Sequence, residues 1–493
     1  MENLFRCIWG AFFAVALLTA VPCTKADDAA ADGKDGKSAR PKTMEERIHE
    51  LEEKLQNVGY TGIKGSGIKL SGYVDTSYLV NLRGNNGSSP TAGAGGPAFG
   101  NSANFGNGRI FDVQQDEFTL HAVKLTLEKD KDDSDFPAGF RVDLLYGADA
   151  NQLNNRGIAT AFGARDNFEN DSDFFLEQAY ITLGLPVGDG VNVTIGKTVT
   201  LLGYEIIESP AQSNFSRSFG FGLYPFTQTG VVFGYQILDC CTVNLGMVNG
   251  VNDSDFGVSA VNGAGNSNTE FMGVGRADIT SPDDWSASVG KFTLGIAGLF
   301  GNDSTVDVTA GVPGASGTNQ ADNGTSISMI DVPGTWTKVF GHEPLSLGFE
   351  FFMRQMDRRT VLAANNTRED DQDDTTAALY AKYQVTDWLY FAGRGEYWYA
   401  DDRSAGAAGI FSTGPGAAPG LGTASGNHIS VWEGTLTAGF NVWKDTLVRL
   451  EYRHDEVGGK DNGFINEQSL NNTGGPQLRR GQDTIAVNVA YSF

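Results

Sequence analysis

An all-β, up-and-down antiparallel transmembrane barrel of about 16 strands, preceded by one short helix, is the fold this sequence predicts. Three observations predict it. Ile485 to Phe493 alternate strictly, with Ile485, Val487, Val489, Tyr491 and Phe493 on one face and Ala486, Asn488, Ala490 and Ser492 on the other. The connections between such strands fall into two length classes. The strands themselves divide apolar residues from charged ones, as a wall between lipid and water must.

The elements follow in chain order. Cys7 to Val21 form an apolar run behind Arg6, ending in small residues, and residues 1–26 read as a secretory signal peptide cleaved after Ala26. The alternative, a membrane anchor, suffers because the run is shorter than the ~20 residues a spanning helix needs. Pro22 fits poorly before a lipid-attachment cysteine at Cys23. Residues 27–43 are polar and of low complexity, a flexible linker. Over 44–58, Met44, Ile48, Leu51, Leu55 and Val58 recur at spacings of four and three, a coiled-coil seam, with Thr43 and Glu46 as a capping box. Two heptads do not hold alone, so this helix must pack on itself in an oligomer or against another surface such as the barrel base.

The barrel occupies 68–493. Short turns are expected near 130–137, 187–190, 238–241, 282–284, 341–344, 385–387 and 442–445. Long polar connections are expected near 83–114, 149–172, 203–219, 251–267, 301–324, 358–372, 400–427 and 457–479. Seven short and eight long connections join 16 strands, and the even number puts both ends on the short-turn side. In 345–354, Leu345, Leu347, Phe349, Phe351 and Met353 oppose Ser346, Gly348, Glu350 and Arg354, with Phe352 the one exception. Phe140, Val142, Leu144 and Tyr146 oppose Arg141 and Asp143, and Val448, Leu450 and Tyr452 oppose Arg449, Glu451 and Arg453. Trp285, Trp388 and Trp443 each flank a short turn, where an interfacial aromatic girdle belongs.

Composition narrows the function classes. With 64 Gly, 31 Phe, 15 Tyr and a net charge of −24, the chain is strand-rich and acidic. Nucleic acid is excluded as a partner, since phosphate binding needs clustered Lys and Arg. Adjacent Cys240 and Cys241 suit neither zinc nor a C-x-x-C redox pair and read as a turn pair. No metal or cofactor motif is present. Catalysis is not expected either, because His121, His342, His428 and His454 stand in no recognisable nucleophile motif.

SGYVDTSYL (71–79), GFRVDLLYGADA (139–150), the run from Glu177 to Pro210, SRSFGFG (216–222), PFTQTGV (225–231) and VNGVND (248–253) resemble the bacterial outer-membrane β-barrel porin family called OmpL-like, or porin type two. The likeness runs from about residue 68 to the C-terminus and leaves the coiled coil outside it. It implies an outer-membrane location, with the helix in the periplasm, and passive diffusion of small hydrophilic solutes or ions. The rival is a structural or adhesive barrel whose loops bind surface partners. Other expected partners are membrane lipid, lipopolysaccharide and further copies of the chain, a trimer among the stoichiometries.

A barrel of this size leaves an aqueous channel unless something fills it. Its expected lining is Arg141, Asp143, Arg276, Asp278, Glu350, Arg354, Lys382, Arg394, Glu396, Arg449, Glu451 and Arg453. Counting Lys69, Lys124 and Lys291 against Asp75 and Glu128 as well makes the wall mildly basic, with the acid excess in loops such as 368–374. The loop 203–218 carries Glu205, Glu208 and Arg217 and is expected to fold inward as a constriction, its carboxylates facing wall arginines; the alternative is an external cap. Glu177 and Lys197 fall on the apparent lipid face. An unpaired charge there costs about 2–4 kcal/mol, so either a bulge turns both inward or they meet at a subunit interface.

Overall fold

The computed structural model describes residues 67–82, 109–112, 115–131, 136–154, 173–250, 271–282, 285, 288–303, 325–362, 366–402, 409–410, 421–423, 428–458, 462–466 and 477–493. The signal peptide, linker and coiled coil expected over 1–58 lie outside them. The strands are β1 (Ile68–Asn81), β2 (Phe118–Lys129), β3 (Ala138–Tyr146), β4 (Phe174–Leu185), β5 (Val191–Val199), β6 (Thr227–Leu238) and β7 (Cys241–Val248). They continue as β8 (Met272–Thr280), β9 (Lys291–Asp303), β10 (Thr325–Thr337), β11 (Leu345–Leu362), β12 (Asn366–Thr386) and β13 (Leu389–Asp402). Then come β14 (Gly409–Ile410), β15 (Leu421–Thr423), β16 (His428–Phe440), β17 (Thr446–Gly458), β18 (Asn462–Asn466), β19 (Gln477–Arg479) and β20 (Gly481–Ser492). One helix, α1 (Ala148–Asn154), follows β3.

Sixteen strands, β1 to β13 with β16, β17 and β20, close into one barrel by antiparallel nearest-neighbour pairing. The remaining four, from the last two long connections, form a separate sheet in the order β14-β15-β18-β19. All seven short turns fall where the sequence predicts them. One long connection does not. The expected loop over 358–372 is instead, in its described part, an extension of β11 and β12, in register from Arg358↔Asp370 to Leu362↔Asn366. Polarity alone therefore misidentified a hairpin as a loop.

The outer face is apolar, as alternation predicts. Phe233, Leu245, Phe300, Leu379, Phe391, Leu436, Leu450 and Val487 are all exposed on it. Trp285, Trp388 and Trp443 remain exposed beside the short turns. Glu177 and Lys197 do not join them. The β3–β4 register shifts between Asp143 and Leu144, leaving Glu177 as the extra residue of a bulge, fully buried inside. Lys197 is turned in as well, with its Nζ 4.5 Å from the centroid of the buried Phe175 ring. Phe352, the apolar exception on an inner face, is fully buried within the lumen, where its ring meets Tyr224 edge-on at 5.7 Å.

The seam closes β20 on β1, from Tyr73↔Ser492 to Asn81↔Thr484. Gly72 and Phe493 exchange two backbone hydrogen bonds of 2.9 Å, and a Cβ on Gly72 would lie 2.7 Å from the Phe493 ring. Gly72→Val is expected to cost about 1–3 kcal/mol by overpacking this seam. Lower-temperature unfolding of the heat-modifiable band on a denaturing gel measures that loss, and an unchanged transition contradicts the closure described.

Candidate functional site

The lumen is crossed by the connection between β5 and β6, residues 200–226. This segment is the expected inward loop, extended by several residues at each end. Two short 3-10 turns, Ser209–Ala211 and Gly220–Gly222, shape it. Gly203 begins the crossing at φ +105°, with a would-be Cβ 2.6 Å from the Tyr224 ring, so a side chain is excluded twice over.

The wall grips this segment by its backbone. Asp331 accepts the Gly203 N–H at 2.6 Å, and Glu350 the Tyr204 N–H at 2.7 Å. Glu451 accepts from Phe215 and Ser216 at 2.6 and 2.9 Å, and Glu396 from Phe219 and Gly220 at 2.6 and 2.7 Å. Arginines take the carbonyls. Arg449 donates to those of Ser209, Gln212 and Asn214 at 3.0 Å each, Arg354 to Leu223 at 3.1 Å, and Arg276 to Leu201 at 2.9 Å. Arg453 donates to the Arg217 carbonyl at 2.5 Å and lies 4.8 Å over the Phe219 ring. Because an irregular segment inside a barrel cannot satisfy its own N–H and C=O groups, charged wall residues do so.

The three loop candidates have separate fates. Glu205 is buried, paired with Arg394 at 2.8 Å and accepting from both the N–H and the hydroxyl of Ser218. Glu208 meets a wall lysine rather than an arginine: Lys124 donates to it at 2.6 Å and also contacts Glu177 at 2.8 Å and Asp143 at 3.1 Å. Among the described residues Arg217 forms no ion pair with a wall carboxylate. Its guanidinium donates to the carbonyls of Ile206, Phe215 and Ile207 at 3.0, 2.8 and 2.9 Å, bracing the loop on itself.

All the expected lining residues project inward. Arg141 bonds Asp143 at 3.1 Å and Glu128 at 3.3 Å and stays about a third exposed; Arg276 bonds Asp278 at 2.9 Å. Arg354 pairs with Asp374 at 2.6 Å, Arg394 with Glu433 at 3.0 Å, and Arg453 with Asp455 at 2.7 Å. Lys382 lies 4.2 Å over the Tyr390 ring. Sequence reasoning missed the interior acids Asp331, Asp374, Glu433 and Asp455, whereas the inward turn of Glu177 and Lys197 was one of the two outcomes expected for that pair. With these five acids and one lysine added, the wall is no longer basic. Strand parity would have found Glu433 and Asp455.

Two further segments enter the lumen. Arg109 bonds Asp112 at 2.6 Å and reaches Asp455 at 2.8 Å, and Phe111 packs on Phe221 with centroids 5.6 Å apart. Helix α1 is held by a relay in which Ser77 Oγ lies 2.8 Å from His121 Nε2 and His121 Nδ1 lies 2.9 Å from Asp149. The connectivity is that of a serine hydrolase triad. Yet Ser77 is 5% and His121 2% exposed, with the Phe215 ring edge-on to the imidazole, so the relay fastens α1 to β1 and β2. Toward the long-loop end the inner wall becomes apolar. Met329, Phe352, Met356, Trp398, Val431 and Val457 there share one cluster with Ile110, Leu153, Phe221, Leu223 and Phe226 from the inserted segments. Cys240 and Cys241 lie at the short turn between β6 and β7, as expected, and Cys241 keeps a free thiol.

A closed barrel with an apolar belt, a charged lumen and an internal strap defines an outer-membrane channel of the porin class. Residues 67–493 match the family model described as "Putative beta-barrel porin-2, OmpL-like", and the chain belongs to that family. The channel DcaP of Acinetobacter baumannii aligns at 12% identity over 87% of this chain and 99% of its own, with a TM-score of 0.49. The anion-selective porin from Comamonas acidovorans aligns at 10% over 86% and 99%, TM-score 0.48, and outer-membrane expressed OmpT of Vibrio cholerae at 10% over 87% and 99%, TM-score 0.48. No curated protein matches the chain significantly.

Arg449→Leu is expected to strip three buried loop carbonyls of their donor and to loosen the strap by about 3–5 kcal/mol. New protease cleavage between 203 and 218 in folded, detergent-solubilised protein is the readout, and wild-type resistance would contradict the grip described.

Proposed function

We propose that this porin passes small hydrophilic solutes or ions by passive diffusion and that the 200–226 strap sets its constriction. One observation carries the reading: the strap crosses the lumen and is tied to opposite walls, through Lys124 on β2 and through Arg394 on β13. A solute must pass between strap and wall, selected by cross-section and by charges near the narrowest point. Glu205 and Glu208 act there as counter-charges to Arg394 and Lys124. Arg217 keeps the strap's shape rather than facing the solute.

The same reading places residues 1–26 as a signal peptide and the 44–58 helix in the periplasm, where its seam suits oligomerisation of the barrel, a trimer included. One solved form of Vibrio cholerae OmpT is described as a trimer. Lipid and lipopolysaccharide face the outer belt. The proposal includes no catalysis, since the Ser77–His121–Asp149 relay is sealed from solvent. The loop-borne sheet β14-β15-β18-β19 favours an added role in binding surface partners.

Planar-bilayer recording in asymmetric salt tests the constriction. Glu205→Gln with Glu208→Gln removes one negative charge beside each of Arg394 and Lys124 and is expected to raise the anion-to-cation permeability ratio about twofold or more. Unchanged conductance and reversal potential would remove these carboxylates from the constriction. Absence of liposome swelling with small sugars would favour a plugged, surface-binding barrel.

A further inference from the structure

Asp331 on β10 and Glu350 on β11 both face the lumen and lie diagonally across the strand pair, since Asp331 opposes Phe352 and Glu350 opposes Pro333. Each spends one oxygen on the strap, through the consecutive N–H groups of Gly203 and Tyr204. The other oxygens, Asp331 Oδ1 and Glu350 Oε2, are buried and have no hydrogen-bond partner. Among the described residues neither carboxylate forms a salt bridge. Their fields act on each other, and Glu205 and Glu396 add further negative charge at Glu350. The cations within reach are engaged elsewhere: Arg276 acts on Asp331 but holds Asp278 and the Leu201 carbonyl, and Arg394 holds Glu205 and Glu433.

A third unpartnered buried oxygen lies on the neighbouring strand. Tyr380, nine-tenths buried, has a hydroxyl without a partner. It stands opposite Gly348, two residues from Glu350, and stacks at 4.1 Å on Tyr204, the residue whose N–H Glu350 accepts. Two buried carboxylates without a counter-charge are costly unless a cation neutralises them, and carboxylate oxygens suit a hard one.

We propose that Asp331, Glu350 and Tyr380 form a binding site for a hard divalent cation, of the Ca2+ class, beneath the strap where it leaves β5. Bound there, the ion joins β10, β11 and β12 to the start of the strap and stabilises its crossing. The proposal does not rest on solute passage, because it is read by binding.

The test uses the full chain in detergent, with Tb3+ as an oxygen-seeking probe sensitised by the adjacent tyrosines and with Ca2+ as competitor. Wild type is expected to give saturable Tb3+ luminescence displaced by Ca2+. Asp331→Asn with Glu350→Gln is expected to abolish the displaceable signal, while Glu343→Gln, in an exposed turn, leaves it unchanged. Tyr380→Phe keeps both carboxylates and is expected to weaken Tb3+ about tenfold, which guards against misfolding of the double variant. No saturable, Ca2+-displaceable signal in wild type, or wild-type affinity in the double or the Tyr380→Phe variant, overturns the proposal and leaves a shared proton as the neutralising charge.

Discussion

An irregular backbone segment placed inside a membrane barrel has peptide groups that neither lipid nor a regular ladder can satisfy. The interior of this protein is organised around that constraint. Glu350, Glu396, Glu451 and Asp331 accept N–H groups of the strap, while Arg276, Arg354, Arg449 and Arg453 donate to its carbonyls. Hydrogen bonds to ionised groups are the stronger ones, roughly 1.5–3 kcal/mol each, and here they are distributed round the lumen. Much of the wall charge that suggests a solute filter is therefore committed to holding the filter in position.

That commitment changes how ion preference should be judged. A charge engaged by a loop carbonyl and a neighbouring carboxylate presents little field to a passing ion. Those that keep contact with water carry more weight. On the short-turn half these include Arg141 and Arg276, partly exposed but each beside an aspartate, and Lys382 on its tyrosine ring. A census of inward-facing residues by sign treats Arg449, wholly buried, as the equal of Arg141, and that equivalence fails.

The legible part of the fold was the part written in local periodicity. Alternation fixed the side of most strand residues, Glu177 and Lys197 apart, and turn chemistry fixed the short connections, because both act within a few residues. The β11–β12 extension escaped because the sequence from Arg358 to Asp370 is mostly polar and lacks a strict alternation, and polarity without alternation does not distinguish a loop from a strand. Inward folding of the 203–218 loop was legible as an expectation; its partners were not. Lys124 meeting Glu208 joins residues far apart in sequence, and no local pattern encodes that contact. Arg109 and helix α1 entered the lumen without a sequence signal that separated them from surface loop.

One signal was present and went unread. Phe352 seemed a single flaw in an otherwise polar inner face. Met329, Met356, Trp398, Val431 and Val457 share its parity and its half of the barrel, so the flaw is a collar. An apolar inner face adjoining water would be unfavourable by about 25 cal/mol per Å2 exposed, so such a collar implies that something apolar covers it. Phe219, Phe221, Leu223 and Tyr224 of the strap do so. Inner-face hydrophobicity at one end of a barrel thus reports an inserted segment, and the charge below it reports where that segment's backbone is held. Strap and wall are complementary halves of one interior, and the route for solutes is whatever the two leave open.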